Sequence, residues 1–226
     1  MIVKYWMNRE IITADINASM QDAINLLKEN NIRRLPIMKK GSLVGIVTDK
    51  DLLKASASDA NGLDIHEILY LMSRIKIKDI MTKYPIVVPF DYTVQEAAEI
   101  LLEKKISGLP VVDHNKKLIG IITQSDIFKV LISISGIKNR GISFAFQIED
   151  RPGSIKDIAD IIREYNGRIV SILTSYEKVL KGFRRVYIHV YNIDRTRIED
   201  ITEKIKEKTT LFYIIDHKTD KREIFP

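Results

Sequence analysis

Two short stretches could do chemistry, and they are nearly the same stretch. Residues 45–51 read GIVTDKD and residues 120–126 read GIITQSD, so Thr48 precedes Asp51 by three positions as Thr123 precedes Asp126. An ionised carboxylate only accepts hydrogen bonds and has room for several donors, so it can take both hydroxyls of a sugar cis-diol. A threonine where a strand passes into a helix adds a hydroxyl beside the free amides of the first turn, and an anion such as phosphate is stabilised there. The same residue types also serve as ordinary helix N-caps, a purely structural role. Gly45 and Gly120 let a neighbouring segment approach each strand closely.

Other reactive constellations are missing from the sequence. Cysteine is absent, which excludes disulfides and thiolate metal sites, and the four histidines, His66, His114, His189 and His217, show no two-histidine spacing on one helix. No Gly-x-x-x-x-Gly-Lys loop, Gly-x-Ser-x-Gly elbow or Gly-x-Gly-x-x-Gly turn occurs. We therefore expect no catalytic residue and no metal ligand, hence no enzyme. The apolar run Val130 to Ile137 is too short to span a bilayer and reads as a packed helix. With no stretch of signal-peptide length near Met1, the expected compartment is the cytoplasm, without a membrane partner.

The elements that must position the two stretches are themselves duplicated. A shift of 74 residues places Met7 on Met81, Ser19 on Thr93, Ala23 on Ala97, Leu35 on Leu109 and Pro36 on Pro110. One extra residue enters where MKKGSL faces VDHNKKL, and the shift becomes 75 for the Gly-x-x-Thr-x-x-Asp stretches. Each copy reads as a short β segment (10–15; 85–89), a helix with a side-chain cap, two strands joined by a polar turn, and a second helix after Thr-x-x-Asp. Thr93 with Glu96 forms a capping box. Between the copies, 56–64 reads as a loop and 65–72 as a helical turn or two. A β-α-β-β-α unit of this size has little core of its own, so the copies are expected to pair face to face.

Both copies resemble the CBS module, named after cystathionine beta-synthase, over residues 1–137, with the first copy about 1–60 and the second about 75–137. The resemblance implies an adenosine-containing regulatory ligand, namely AMP, ADP, ATP or S-adenosylmethionine, and no required cofactor. It carries Thr48, Asp51, Thr123 and Asp126 over as ligand-binding residues. Apolar residues that could enclose the adenine are Ile12, Leu35, Pro36, Ile86, Leu109 and Pro110. The copies differ, since Arg33 and Arg34 face Ser107 and Gly108, and Asp49 faces Gln124. Arginines near a phosphate favour a more anionic ligand at the first half, and the extra carboxylate of Asp49 opposes it.

From Ile142 the pattern changes to β-α-β-β-α-β: ISFAFQIE, IKDIADIIREY, IVSILTSYE, FRRVYIHVYN, TRIEDITEKIKEK and TLFYIID. That order is a ferredoxin-like sandwich, so the whole chain combines an α/β pair with an α+β domain over 138–226. With EDRPGSI at the first turn and NGRIVSI at the next, the segment resembles the ACT domain. The resemblance implies a small-effector site for a ligand such as an amino acid, lined by Asp150, Gly153, Ser154 and Arg168, or else a purely dimerising role. The order of both modules resembles the acetoin-utilisation protein B type of CBS-ACT regulatory proteins.

The leading reading is thus a non-enzymatic sensor, a homodimer acting on a regulated protein that the motifs do not identify. The alternative is a nucleic-acid-binding or transcription-associated regulator, prompted by a net charge of +6, a pI near 9.3 and the Arg184, Arg185, Tyr187 cluster. Basic residues are interspersed with acidic ones, 18 against 16 in residues 1–137 and 18 against 14 in 138–226, and strand alternation puts Arg184 and Arg185 on opposite faces. Both features argue against a single nucleic-acid stripe.

Overall fold

The computed structural model describes residues 1–59, 70 and 72–226. The chain divides into two compact units, Met1–Ile127 and Phe128–Pro226.

The first unit holds both copies. In the first, strand β1 (Ala14–Asp15) leads into helix α1 (Met20–Glu29), the hairpin β2 (Arg34–Lys39) and β3 (Ser42–Thr48), and helix α2 (Asp49–Asp59). In the second, β5 (Val88–Pro89), α3 (Val94–Glu103), β6 (Gly108–Val112), β7 (Leu118–Thr123) and α4 (Gln124–Ser135) repeat the order. β4 (Thr82–Lys83) lies between the copies. Ser19 with Asp22 and Thr93 with Glu96 close capping boxes at α1 and α3, each satisfying orphan amides of a first turn. Ala23 and Leu27, and Ala97 and Leu101, are buried one helical turn apart, while Ile24 and Ile100 pack only partly against the cores.

The leading strands are shorter than their β-rich composition suggests. β1 pairs in parallel only with Ile37 and Met38, and β5 only with Val111 and Val112. The residue just before each partner is Pro36 or Pro110, which has no amide hydrogen to extend the ladder. The stretch 56–64 also departs from a loop reading, because α2 runs to Asp59. Residues 60–64, most of the expected turn 65–72, and His66 lie outside the described residues.

The two copies exchange their leader segments. Ile77 N–H donates to the Ala18 carbonyl of the first half at 3.0 Å, and Ile77 is wholly buried in its core. Its counterpart Val3 is wholly buried in the core of the second half, where Val3 N–H donates to the Tyr92 carbonyl at 2.8 Å. β4 pairs with Gly45 and Ile46 of β3, and Asn8 exchanges two backbone bonds with Ile121 of β7, at 2.8 and 2.9 Å. The glycines make room for this. A Cβ at Gly45 would stand 2.3 Å from Met81 Sδ, and one at Gly120 would stand 2.4 Å from Met7 Sδ.

The second unit is a five-stranded antiparallel sheet in the order β12-β11-β8-β10-β9. Its strands are β8 (Ile142–Glu149), β9 (Arg168–Ser175), β10 (Phe183–Tyr191), β11 (Thr210–Asp216) and β12 (Lys221–Ile224), with helices α5 (Ser154–Glu164) and α6 (Ile198–Lys206). β12 is an addition to the six elements expected here. Alternation along β8 sends Ile142, Phe144, Phe146 and Ile148 into one core with Ile158, Ile162, Ile201 and Ile205 of the helices. Ser143, Ala145 and Gln147 lie on the opposite face.

The run Val130 to Ile137, read as a packed helix, ends its helix at Ser135, and Gly136 follows at φ +72. Only one face packs: Val130 is buried, whereas Phe128, Leu131 and Ile132 are exposed.

Two stability predictions follow from the packing. Gly120→Ala should lower stability by about 1–3 kcal/mol through overpacking, and adding Met7→Ala in the same chain should return part of that loss, a non-additivity read from denaturant melts. In the second unit, Asp216 accepts from Arg195 Nε at 2.7 Å and from Nη2 at 3.1 Å, and this guanidinium pulls its carboxyl down to about 2. Because the folded value lies below the ordinary one, the stabilisation is complete above about pH 4 and drains away as pH falls toward that depressed value. Asp216→Asn should therefore cost about 2 kcal/mol at pH 7 and progressively less in acid, measured as the Tm gap between the two proteins across a pH series.

Candidate functional site

The Thr-x-x-Asp stretches fold into two equal seats. Each threonine ends a strand, and the helix begins at the next residue, so the aspartate lies inside the first turn rather than ahead of the helix. Asp51 Oδ2 accepts from Thr48 N–H at 2.9 Å and from Thr48 Oγ1 at 2.7 Å, and the Asp51 amide donates back to Oγ1 at 3.3 Å. Asp126 repeats the pattern with Thr123 at 3.0, 2.7 and 3.4 Å. These are capping boxes with aspartate as the third residue. The structural role of the motif is therefore real, and it uses one oxygen of each carboxylate. Asp51 is half-buried and Asp126 is 8% exposed.

Arg34 joins the two halves at these seats. It pairs with Thr48 across the β2–β3 ladder, and its Nη2 donates to Ser107 Oγ of the second copy at 2.7 Å. Gly108, the residue paired with Thr123, lies directly beneath the guanidinium, where any Cβ would collide with Nη1. That nitrogen is buried and has no hydrogen-bond partner among the described residues. Burial pushes the Arg34 guanidinium below its ordinary range, and the carboxylates of Asp49 and Asp126 oppose this. An arginine assigned from sequence to the first half thus extends over the second. The duplicated fold brings both seats to one seam and breaks their symmetry with one side chain.

The expected adenine-enclosing residues divide sharply. Leu35 and Leu109 are wholly buried in the cores of their halves, and Pro36 and Pro110 beside them are buried as well. In this structure they have no face to offer a ligand, because consecutive residues of β2 and β6 are buried and both faces of these strands are covered. Ile12 is partly buried and Ile86 is 42% exposed, so these two retain accessible apolar surface.

In the second unit the first turn and Arg168 do not meet. Asp150 N–H bonds to Gly182 just before Phe183, whereas Arg168 pairs with Tyr191, eight positions along β10. At about 3.3 Å per residue they lie at opposite ends of the sheet, roughly 26 Å apart. Arg184 takes the place expected of Arg168. Its Nη2 donates to the fully buried Ser154 Oγ at 3.0 Å, and its Nε stands 3.4 Å from Asp150 Oδ1. Gly153 supplies the turn, at φ +88. Arg185 points to the other face, 4.9 Å from the Phe212 ring centroid. The pair that prompted the nucleic-acid alternative is therefore divided between two internal roles.

One grouping was not legible in the sequence. His189 Nδ1 and His217 Nε2 each lie 2.9 Å from Ser143 Oγ. Both strands flank β8, so residues far apart in sequence meet on one side chain. Burial lowers the His189 pKa, and neighbouring His217 lowers it further, a direction that favours the neutral ring. Among the described residues no group of three His, Cys, Asp or Glu could hold a metal ion, and no helix is long and apolar enough to cross a membrane.

Comparison with known proteins accounts for the first unit. The CBS domain model matches residues 3–58 and 77–133. A CBS domain-containing protein of Dictyostelium discoideum is 32% identical over 134 residues, covering 59% of this chain and 92% of its own length. The crystal structure of the CBS domain pair of protein MJ0100, in complex with 5'-methylthioadenosine and S-adenosyl-L-methionine, superposes with a TM-score of 0.50 at 33% identity, over 58% of this chain and 95% of that one. CBSX2 from Arabidopsis thaliana, in complex with AMP, gives 0.50 at 31% identity over 59% and 97%. With two matched copies making up half its length, the chain belongs to the CBS-domain family.

Proposed function

We propose that this protein is a non-enzymatic regulatory sensor whose CBS pair binds an adenosine compound, AMP, ADP, ATP or S-adenosylmethionine, at the Thr-x-x-Asp seats. The observation that carries this reading is the pair of capped aspartates, with Arg34 reaching from beside Thr48 of the first seat to Ser107 of the second copy. Each carboxylate is held in place by its cap and can accept from the hydroxyls of a ribose diol. A phosphate at the seam would satisfy the buried Arg34 Nη1, while Ile12 and Ile86 offer apolar surface to a purine. Relatives solved with AMP and with S-adenosylmethionine support the ligand class. Regulation then requires that the ligand bind one arrangement of the halves more tightly than another.

The second module, 138–226, we read as an ACT-like domain. Its sheet order and its Asp150, Gly153, Ser154 turn support that reading, with Arg184 as the cation in place of Arg168. It serves either as a small-effector site, for an amino acid, or as a dimerising element. Exposed Phe128, Leu131 and Ile132 on α4 support association of two copies.

Asp126→Asn should weaken AMP or S-adenosylmethionine binding by about tenfold, the value of one or two charge-assisted hydrogen bonds, as read by calorimetry. Unchanged affinity in both the Asp126→Asn and Asp51→Asn proteins would remove the ribose assignment. Sedimentation should give a dimer, and Leu131→Glu on the exposed face of α4 should shift it toward monomer.

A further inference from the structure

A cavity lies in the CBS pair, away from the Thr-x-x-Asp seats. It has a volume of about 330 Å³ and opens where the N-terminal segment crosses onto the second half. Its apolar floor is Met7, Phe90 and Ile119, and its rim carries Lys4, Arg9 and His114. Ile119 stands at the start of β7 and Thr123 at its end, so the two sites are separated by about 13 Å of strand.

The electrostatics of the rim are unbalanced. Among the described residues no carboxylate lies within ion-pair distance of Lys4, Arg9 or His114. Lys4 Nζ stands 5.6 Å over the Phe90 ring, and His114 meets that ring edge-on at 4.9 Å. Arg9 makes one long contact, 3.4 Å to the Lys4 carbonyl. The single acid of the lining, Asp113, spends Oδ1 on the amides of Asn115 and Lys117, both at 2.9 Å. Three basic groups of different reach thus converge on a concave, partly aromatic floor, the composition that holds a compact polyanion.

The duplicated half keeps two basic positions, Lys78 for Lys4 and Lys83 for Arg9, but not the rest of the lining. Ile16 stands where Phe90 is, and Lys39 where Asp113 is. The aromatic ring, the histidine and the acid belong to one copy alone, so the cavity does not follow from the shared module pattern.

We propose that this cavity is a binding site for a small phosphomonoester, with Lys4 and Arg9 holding the phosphate and the Phe90 floor receiving the organic body. Its size suits a sugar phosphate and its concavity excludes a nucleic-acid duplex. The remaining oxygen of Asp113 can accept from a ligand hydroxyl. This site is independent of the adenosine reading, because none of its lining residues belongs to the seam.

The chain has one tryptophan, Trp6, between Lys4 and Met7, and it supplies the readout. Ribose 5-phosphate should quench or enhance Trp6 fluorescence saturably, and inorganic phosphate should compete. Lys4→Gln and Arg9→Gln should each weaken the titration about tenfold or more, with unchanged Tm. Asp126→Asn should leave it unaltered, which separates this site from the seam. The proposal is overturned if ribose 5-phosphate does not saturate up to about 10 mM, if neither substitution changes the curve, or if only a single-stranded oligonucleotide binds.

Discussion

The exchange of leader segments is the contact on which the rest of the first unit depends. Val3 fills the core of the second half and Ile77 that of the first, and each segment then runs as an edge beside the strand that ends in a Thr-x-x-Asp seat. A half-module of about 60 residues buries too little apolar surface to be comfortable alone. Exchange solves this without enlarging either core, because each half borrows a side chain and a strand edge from the other. The glycine ahead of each seat is what the borrowing requires, since a methyl group there would meet a methionine sulfur.

In the proposed function one residue pair serves fold and ligand together. A carboxylate that caps its own helix is fixed in place before any ligand arrives, and little side-chain entropy remains to be lost on binding. The structural and functional readings of Thr-x-x-Asp are therefore complementary. Arg34 adds a second level, because it is held to Ser107 at one nitrogen and, among the described residues, left without a partner at another. A buried donor in that state is costly, and an anion would relieve the cost.

Much of this was legible in the sequence, and the reasons for the rest are physical. The repeat, the capping boxes at Ser19 and Thr93 and the strands 142–149 and 210–216 follow from periodicity and side-chain chemistry. The leader exchange does not, because Met7 and Met81 occupy equivalent positions whether each packs on its own copy or on the other. Their place in the motif points Leu35 and Leu109 toward a ligand, but strands covered on both faces put them in the core. Arg168 failed for a related reason: a motif gives spacing along the chain, whereas only strand register shows that Arg184 is the cation beside Asp150. The convergence of His189 and His217 on Ser143 likewise needs the order of strands, which no local pattern contains.

Helix α4 begins at the capped threonine of the second seat and ends at Ser135, whose carbonyl accepts from Ser171 of β9 at 2.8 Å. Twelve residues make a rod about 18 Å long, and an α-helix transmits tilt along its axis better than it absorbs it. The rod crosses the point, after Ile127, at which the chain passes from one unit to the other. The last eight residues of the rod, 128–135, belong to the second unit, and the Ser171–Ser135 bond pins that end of it to β9.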